Sequence, residues 1–177
     1  MRKFEVGDVT VVRAVIPNPN AADDSILLLR RRPDAFNNPG QWEIPGGKLK
    51  TGVVPAPEHD ALSGERIARY VVGNQLILDG GIREIEEETG YEVTISNNNI
   101  SLIEHYEMEG GARHGGLYVA YAGVARYLGG ELKISDEHTE AAWVTPIEAM
   151  KRHDVTVQTM SALSLHQDLK LGLFDLF

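Results

Sequence analysis

From Asp8 to Ile16 the chain alternates, with Val9, Val11, Arg13 and Val15 on one side of an extended backbone rich in β-branched residues, which predicts a strand. Ile26-Leu27-Leu28-Leu29, inside Ser25 to Arg30, is a short unbroken apolar run and predicts a buried strand; Gln41 to Ile44 predicts another. The stretches between them, Pro17 to Asp24 and Pro33 to Gly40, are rich in Asn, Pro and Asp and read as loops. The pattern then becomes helical, from about Asn74, a candidate cap, to Thr89, with Gly90 as the left-handed stop. Gly80 and Gly81 lie inside this helix. Each is less favourable there than alanine by about 1 kcal/mol, which implies a neighbour too close for a larger side chain. Further strands are expected at Glu92 to Ile95, Ile100 to Glu107 and Leu117 to Tyr127, with 109–116 as a hairpin loop carrying Arg113 and His114 at its tip. Thr156 to Leu171 reads as a closing amphipathic helix that packs through Met160, Leu163 and Leu171, and Asp60 to Val72 as an additional helix.

This interleaving of strands and helices predicts an α/β (α+β) fold. A length of 177 residues with 42% apolar and 24% charged positions suits a single domain, 1–177. No apolar run approaches membrane length, and Met1-Arg2-Lys3 leads at once into Phe4-Glu5-Val6-Gly7-Asp8, so a cytoplasmic protein without membrane partners is expected. The absence of cysteine excludes disulfides and thiolate chemistry. A formal charge of −9 argues against binding extended nucleic acid, which needs a field of Lys and Arg. A small polyanion is still allowed, since a bound metal and local cations such as Arg30-Arg31-Arg32 can reverse the potential of one cleft.

Chemistry concentrates in Arg83-Glu84-Ile85-Glu86-Glu87-Glu88-Thr89-Gly90-Tyr91. Glu84, Glu87 and Glu88 stand at offsets i, i+3 and i+4, so a helix projects them from one face. Their repulsion is a few tenths of a kcal/mol per pair unless neutralised. A divalent cation neutralises it, and clustered hard oxygen ligands suit Mg²⁺ or Mn²⁺. A solvated acidic face is the alternative. Upstream, Gln41-Trp42-Glu43-Ile44 ends in Pro45-Gly46-Gly47, a turn that lets a ligand approach the backbone closely.

Together, Trp42-Glu43-Ile44-Pro45-Gly46-Gly47 and Arg83 to Tyr91 resemble the Nudix box of hydrolases that cleave nucleoside diphosphates linked to another moiety. The family pattern is Gly, five residues, Glu, seven residues, then Arg-Glu-apolar-any-Glu-Glu-any-Gly-apolar. The second half matches at every specified position, with Glu86 at an unspecified one, but the early glutamate is missing. Counting forward from Gly47 reaches Val53, and counting back from Arg83 reaches Gln75, so the box is split by an insertion of about two dozen residues, 53–74.

The resemblance implies an α/β/α sandwich with a mixed sheet between helices. It also implies metal held by Glu84, Glu87, Glu88 and the Gly47 carbonyl, and hydrolysis of a phosphoanhydride bond in a small nucleotide. Glu87, Glu88, Glu137 and Glu140 are the contenders for the base that takes a proton from water; the last two lie in Glu137-His138-Thr139-Glu140, ahead of Trp143-Val144. Arg83 either braces the loop or touches substrate phosphate. In the family it braces by pairing with the early glutamate. Gln75 could accept its hydrogen bond without the charge-assisted part, and Glu58 or Glu65 could fold back instead. His105, His114 and His138 show no metal-ligand spacing, and Trp42 reads as core rather than a base platform. Branches acting on ADP-ribose tend to carry a proline about sixteen residues past the box, absent here. Branches acting on dinucleoside polyphosphates tend to carry a tyrosine there, and Tyr106 lies fifteen residues past Tyr91. The split box and Gln75 speak for a non-catalytic nucleotide- or partner-binding module, the intact second half for a hydrolase; either is compatible with a homodimer.

Overall fold

The computed structural model describes residues 9–49, 75–108 and 116–170. The inserted stretch 53–74 with its expected helix, Glu58 and Glu65, and the loop bearing Arg113 and His114 lie outside the described residues. The strands are β1 (Val9–Val15), β2 (Ile26–Arg31), β3 (Trp42–Glu43), β4 (Gly46–Lys48), β5 (Tyr91–Met108), β6 (Gly116–Gly130) and β7 (His138–Val144). The helices are α1 (Gln75–Thr89), α2 (Pro146–Met150) and α3 (Val157–Lys170).

The expected α+β class is found, with two sheets. One is mixed, in the order β4-β1-β6-β5: β1 runs parallel to β6, and the other pairs are antiparallel. The second is antiparallel, in the order β3-β2-β7. Helices cover opposite sides. Val12, Ala14 and Ile16 at the β1 end and Leu27 and Leu29 of β2 pack with Ile77, Leu78 and Ile85 of α1. Val15, Ile26 and Leu28 point the other way and join Trp42, Ile44, Ala149 of α2 and Ala162 and Leu163 of α3. β1 alternates as its sequence predicts, but both of its faces are buried because it lies between β4 and β6 and under helices on either side.

The two glycines inside α1 have the explanation expected of them. A Cβ on Gly81 would strike Val12 Cγ1, and one on Gly80 would lie 2.6 Å from Leu49 Cδ2. α1 therefore sits almost on the backbone of the mixed sheet. It stops where predicted: Gly90 takes φ +71° and donates its N–H to Glu86 O at 2.9 Å.

Three local features differ from the expectations. The two strands read at Glu92 to Ile95 and Ile100 to Glu107 are one strand, β5, with a register shift between Ile95 and Ile100. The residues after Pro45 form a strand as well as a turn, since Gly46–Lys48 pairs with β1. Finally α2 was not anticipated, although Thr145 and Glu148 form a reciprocal capping box with Pro146 at the first turn.

Candidate active site

The turn at Pro45-Gly46-Gly47 carries the site, and its conformation demands glycine. Gly46 has φ +132°, and a Cβ on it would collide with Val12 O and lie 2.5 Å from Arg13 Cα. The backbone groups of the turn are satisfied from several sides. Ala14 N–H donates to Pro45 O at 2.9 Å, and Arg13 Nη1 donates to Ile44 O at 3.0 Å and Gly46 O at 3.3 Å. Gly46 N–H in turn donates to Glu88 Oε2 at 2.7 Å, which ties the turn to α1. Glu84, one helical turn earlier, lays its carboxylate against Gly47: a Cβ there would lie 2.5 Å from Glu84 Oε2.

A cleft of about 650 Å³ opens over this junction, and its lining includes Gly47, Glu84, Glu88, Glu137, Arg13 and Arg31. Acidic and basic side chains both line it. Behind Arg13 and Arg31 is Glu43, whose side chain is wholly buried. Arg13 Nη2 lies 2.9 Å from Glu43 Oε2, an ion pair without hydrogen-bond alignment, while Arg31 Nη1 donates to Oε1 at 2.9 Å. His138 Nε2 is 3.3 Å from the same Oε1, and its Nδ1 is 3.2 Å from Ser135 Oγ. Burial alone would push the Glu43 carboxyl up, but Arg13, the His138 contact and Arg31 outweigh it and hold the group at about 2.

Glu88 behaves oppositely. Burial pushes its carboxyl up to about 7, against the pull of the Gly46 N–H and the charges of His138 and Arg13. A buried carboxylate with so little compensation fits a cation, and a hard-oxygen donor set of carboxylates and a backbone carbonyl fits a divalent one. Glu43, Glu88 and His138 can bring one ligand atom each within 4.8 Å of the others. Because both oxygens of Glu43 already face guanidinium groups, Glu88 with Glu84 is the better seat of the two.

The remaining expected residues fall in different places. Glu137 lines the cleft, with its carboxylate 3.9 Å from Arg31 Nη2. Glu140 is on β7, paired with Arg30 Nη1 at 2.7 Å and absent from the cleft lining. Glu87 is exposed and receives Arg83 Nη1 at 2.7 and 2.8 Å on its two oxygens, and Arg83 also pairs with Glu84. Gln75 does not meet Arg83: its Nε2 donates to Asp79 Oδ1 at 2.7 Å, so the arginine of the box is spent on its own helix. Trp42 is core, with the Arg152 guanidinium 4.9 Å over its ring.

Sequence reasoning missed Arg13, Glu43 and His138 as a group. The available signal was a charge inside each of two otherwise apolar strands: Arg13 among valines, Glu43 between Trp42 and Ile44. Buried charges in such places need partners, and these two are each other's.

The NUDIX domain model matches residues 9–161. No curated protein sequence matches. Among solved structures, the MutT protein of Methanosarcina mazei Go1 is 21% identical with a TM-score of 0.58, covering 96% of this chain and 99% of its own. The E. coli ORF135 protein is 20% identical with a TM-score of 0.57, covering 94% of each chain. A C. elegans Ap4A hydrolase is 20% identical with a TM-score of 0.56, covering 93% of this chain and 98% of its own. These likenesses concern the fold, whereas the domain match spans most of the sequence, so the chain belongs to the Nudix family. It is accordingly a Nudix hydrolase, and the family's general activity is hydrolysis of pyrophosphate bonds in nucleotides with the help of a divalent metal. Among the described residues no helix is long and apolar enough to cross a membrane.

Proposed function

We propose that this chain, acting as one cytoplasmic domain over residues 1–177, uses Mg²⁺ or Mn²⁺ to hydrolyse a phosphoanhydride bond in a nucleoside diphosphate derivative or related nucleotide. The observation that carries the reading is Glu88, a carboxylate buried at the floor of a cleft, held at about 7 by burial and lying beside Glu84 and the Gly46-Gly47 backbone. Glu84, Glu88 and the Gly47 carbonyl would hold the metal, and Glu87 would join them on releasing Arg83. Bound there, it polarises phosphate oxygens, lowers the pKa of the attacking water and stabilises charge on the leaving phosphate.

The chain's own residues do the rest. Gly46 N–H fixes one oxygen of Glu88 and so the direction of the other. Arg31, held against Glu43 at 2.9 Å, offsets the negative charge of a substrate phosphate. Glu137, which is in the cleft lining, takes the proton from the attacking water, and Glu140, paired with Arg30, does not. Tyr106, fifteen residues past the box, favours dinucleoside polyphosphates among the candidate substrates. An Ap4A hydrolase among the structural neighbours is in keeping with that choice.

The test is a panel of ADP-ribose, dinucleoside polyphosphates, nucleotide sugars and nucleoside triphosphates with Mg²⁺ or Mn²⁺, following release of nucleoside monophosphate or phosphate. Turnover is expected on at least one, highest on dinucleoside polyphosphates, and abolished by EDTA. No release from any compound would overturn the reading. Equal rates for wild type and Glu137→Gln would remove Glu137 as the base.

A further inference from the structure

In the family pattern the loop that precedes the catalytic helix is braced by a pair between the early glutamate and the arginine of the box. Among the described residues neither member does that work: Gln75 bonds Asp79, and Arg83 bonds Glu84 and Glu87 on its own helix. The Ile44, Pro45 and Gly46 carbonyls are nevertheless each held from β1. We infer that Arg13 is a positioning residue, a clamp from β1 that sets the Pro45-Gly46-Gly47 turn and so replaces the brace that the interrupted box lacks.

Four observations carry this. Arg13 is 9% exposed, an arginine among apolar residues in a strand covered on both faces, where such a side chain needs polar partners. Its Nη1 reaches two turn carbonyls that flank Pro45, Ile44 O at 3.0 Å and Gly46 O at 3.3 Å, while the next residue on the strand, Ala14, donates to Pro45 O at 2.9 Å. Its Nη2 is anchored 2.9 Å from Glu43, which is itself fixed by Arg31 and His138, so the clamp has a rigid base. Finally, the Gly46 held in this way is the residue whose N–H orients Glu88. Loosening Arg13 therefore lets the turn move relative to β1 and takes the reference point away from the Glu88 carboxylate. The planar fork matters as much as the charge, because one nitrogen of the guanidinium bonds two carbonyls while another lies in ion-pair contact with Glu43, which an ammonium cannot match in geometry.

The inference rests on the metal reading of Glu84 and Glu88 for its consequence but not for its first measurement. In metal-free protein, amide exchange at Gly46 and Ala14 reports the clamp directly. Arg13→Lys keeps a cation beside Glu43 and loses the fork. It should fold, exchange its Gly46 amide at least about 10-fold faster, and bind Mn²⁺, read by the free-ion EPR signal, about 10-fold more weakly, in the range of groups one step removed from a metal. The KM for the best nucleotide should stay within about 2-fold while kcat falls, since a positioning residue acts through Glu88 rather than on substrate.

Wild-type Gly46 exchange and Mn²⁺ affinity in Arg13→Lys would overturn the inference, and so would a rise in KM alone, which would make Arg13 a substrate ligand instead. Should Arg13→Lys fail to fold, Arg83→Gln decides: its Gly46 exchange should match wild type, and faster exchange there would show that the brace is Arg83 after all. Absence of nucleotide turnover in the wild type would sink the proposed function while leaving the exchange result interpretable.

Discussion

Glu43 and Glu88 are both buried and can approach one another within 4.8 Å, yet their carboxyls are driven apart, to about 2 and about 7. Burial acts on both in the same direction, so burial cannot be the difference. What differs is counter-charge. Glu43 has a guanidinium on each side and an imidazole besides, whereas Glu88 has one backbone N–H and more distant cations. A fold that surrounds one carboxylate with cations and leaves its neighbour short of them makes one a structural anchor and suits the other to the metal role proposed for it.

The sharpest way to break that comparison is to neutralise each member. Glu88→Gln should lower turnover by more than about 100-fold, beyond the range typical of groups one step removed from a metal, and should weaken Mn²⁺ binding with it. The fold should persist, because the amide oxygen can still accept the Gly46 N–H; a variant with wild-type turnover would remove Glu88 from the metal site. Glu43→Gln should instead act on stability. Breaking a buried pair by removing one partner costs about 3–5 kcal/mol, which a urea titration at pH 7 would read as a lower midpoint. A loss under about 1 kcal/mol would mean that the Arg13 and Arg31 contacts are incidental.

Acid separates the two without mutation. The folded pKa of Glu43 is depressed, so its contribution is present in full above its ordinary value of 4.5 and is lost as pH falls towards 2. A displacement of that size is worth about 3 kcal/mol. Urea midpoints of wild type should therefore fall between pH 4.5 and pH 2 more steeply than those of Glu43→Gln, and parallel curves would show that Glu43 titrates normally.

How much of this was legible in the sequence follows the distance over which each feature is decided. The α1 stop at Gly90 and the glutamate spacing are set within a few residues, and reading them locally succeeds; the crowding at Gly80 and Gly81 showed only as glycines inside a helix, since Leu49 and Val12, which cause it, lie far off in sequence. The α2 helix was equally local, but five residues beginning Pro146-Ile147-Glu148 are too short to show a period, and only the Thr145–Glu148 box marks it. The Glu43 anchor could not be read from spacing. His138 meets Glu43 across 95 positions, once β2 has brought β3 and β7 into one sheet, and Arg13 of β1 meets the Ile44 carbonyl across 31, once the chain has passed from that sheet to the other. Gln75 is an intermediate case: its vacancy in the family pattern was visible, but that Asp79 would take its amide, and that Arg83 would turn along its own helix, depended on rotamers.

Arg83 supplies the smallest and most discriminating test, because it pairs with carboxylates in a third environment, on an exposed helix face. Its side chain is a third exposed and its partner Glu87 more than half, so solvent screens both. An exposed i,i+4 pair contributes about 0.3–0.5 kcal/mol, and Arg83→Gln should cost under about 1 kcal/mol in a urea titration. Were Arg83 the brace of the turn, as its counterpart is in an unbroken box, its loss would also free Gly46 and would cost more than about 2 kcal/mol, as other disrupted buried networks do. The three carboxylate environments would then be ordered differently, with the exposed pair outweighing its geometry. A small loss keeps the order in which the turn is held from β1, by Arg13 on the Glu43 anchor, and the helix contributes the carboxylates.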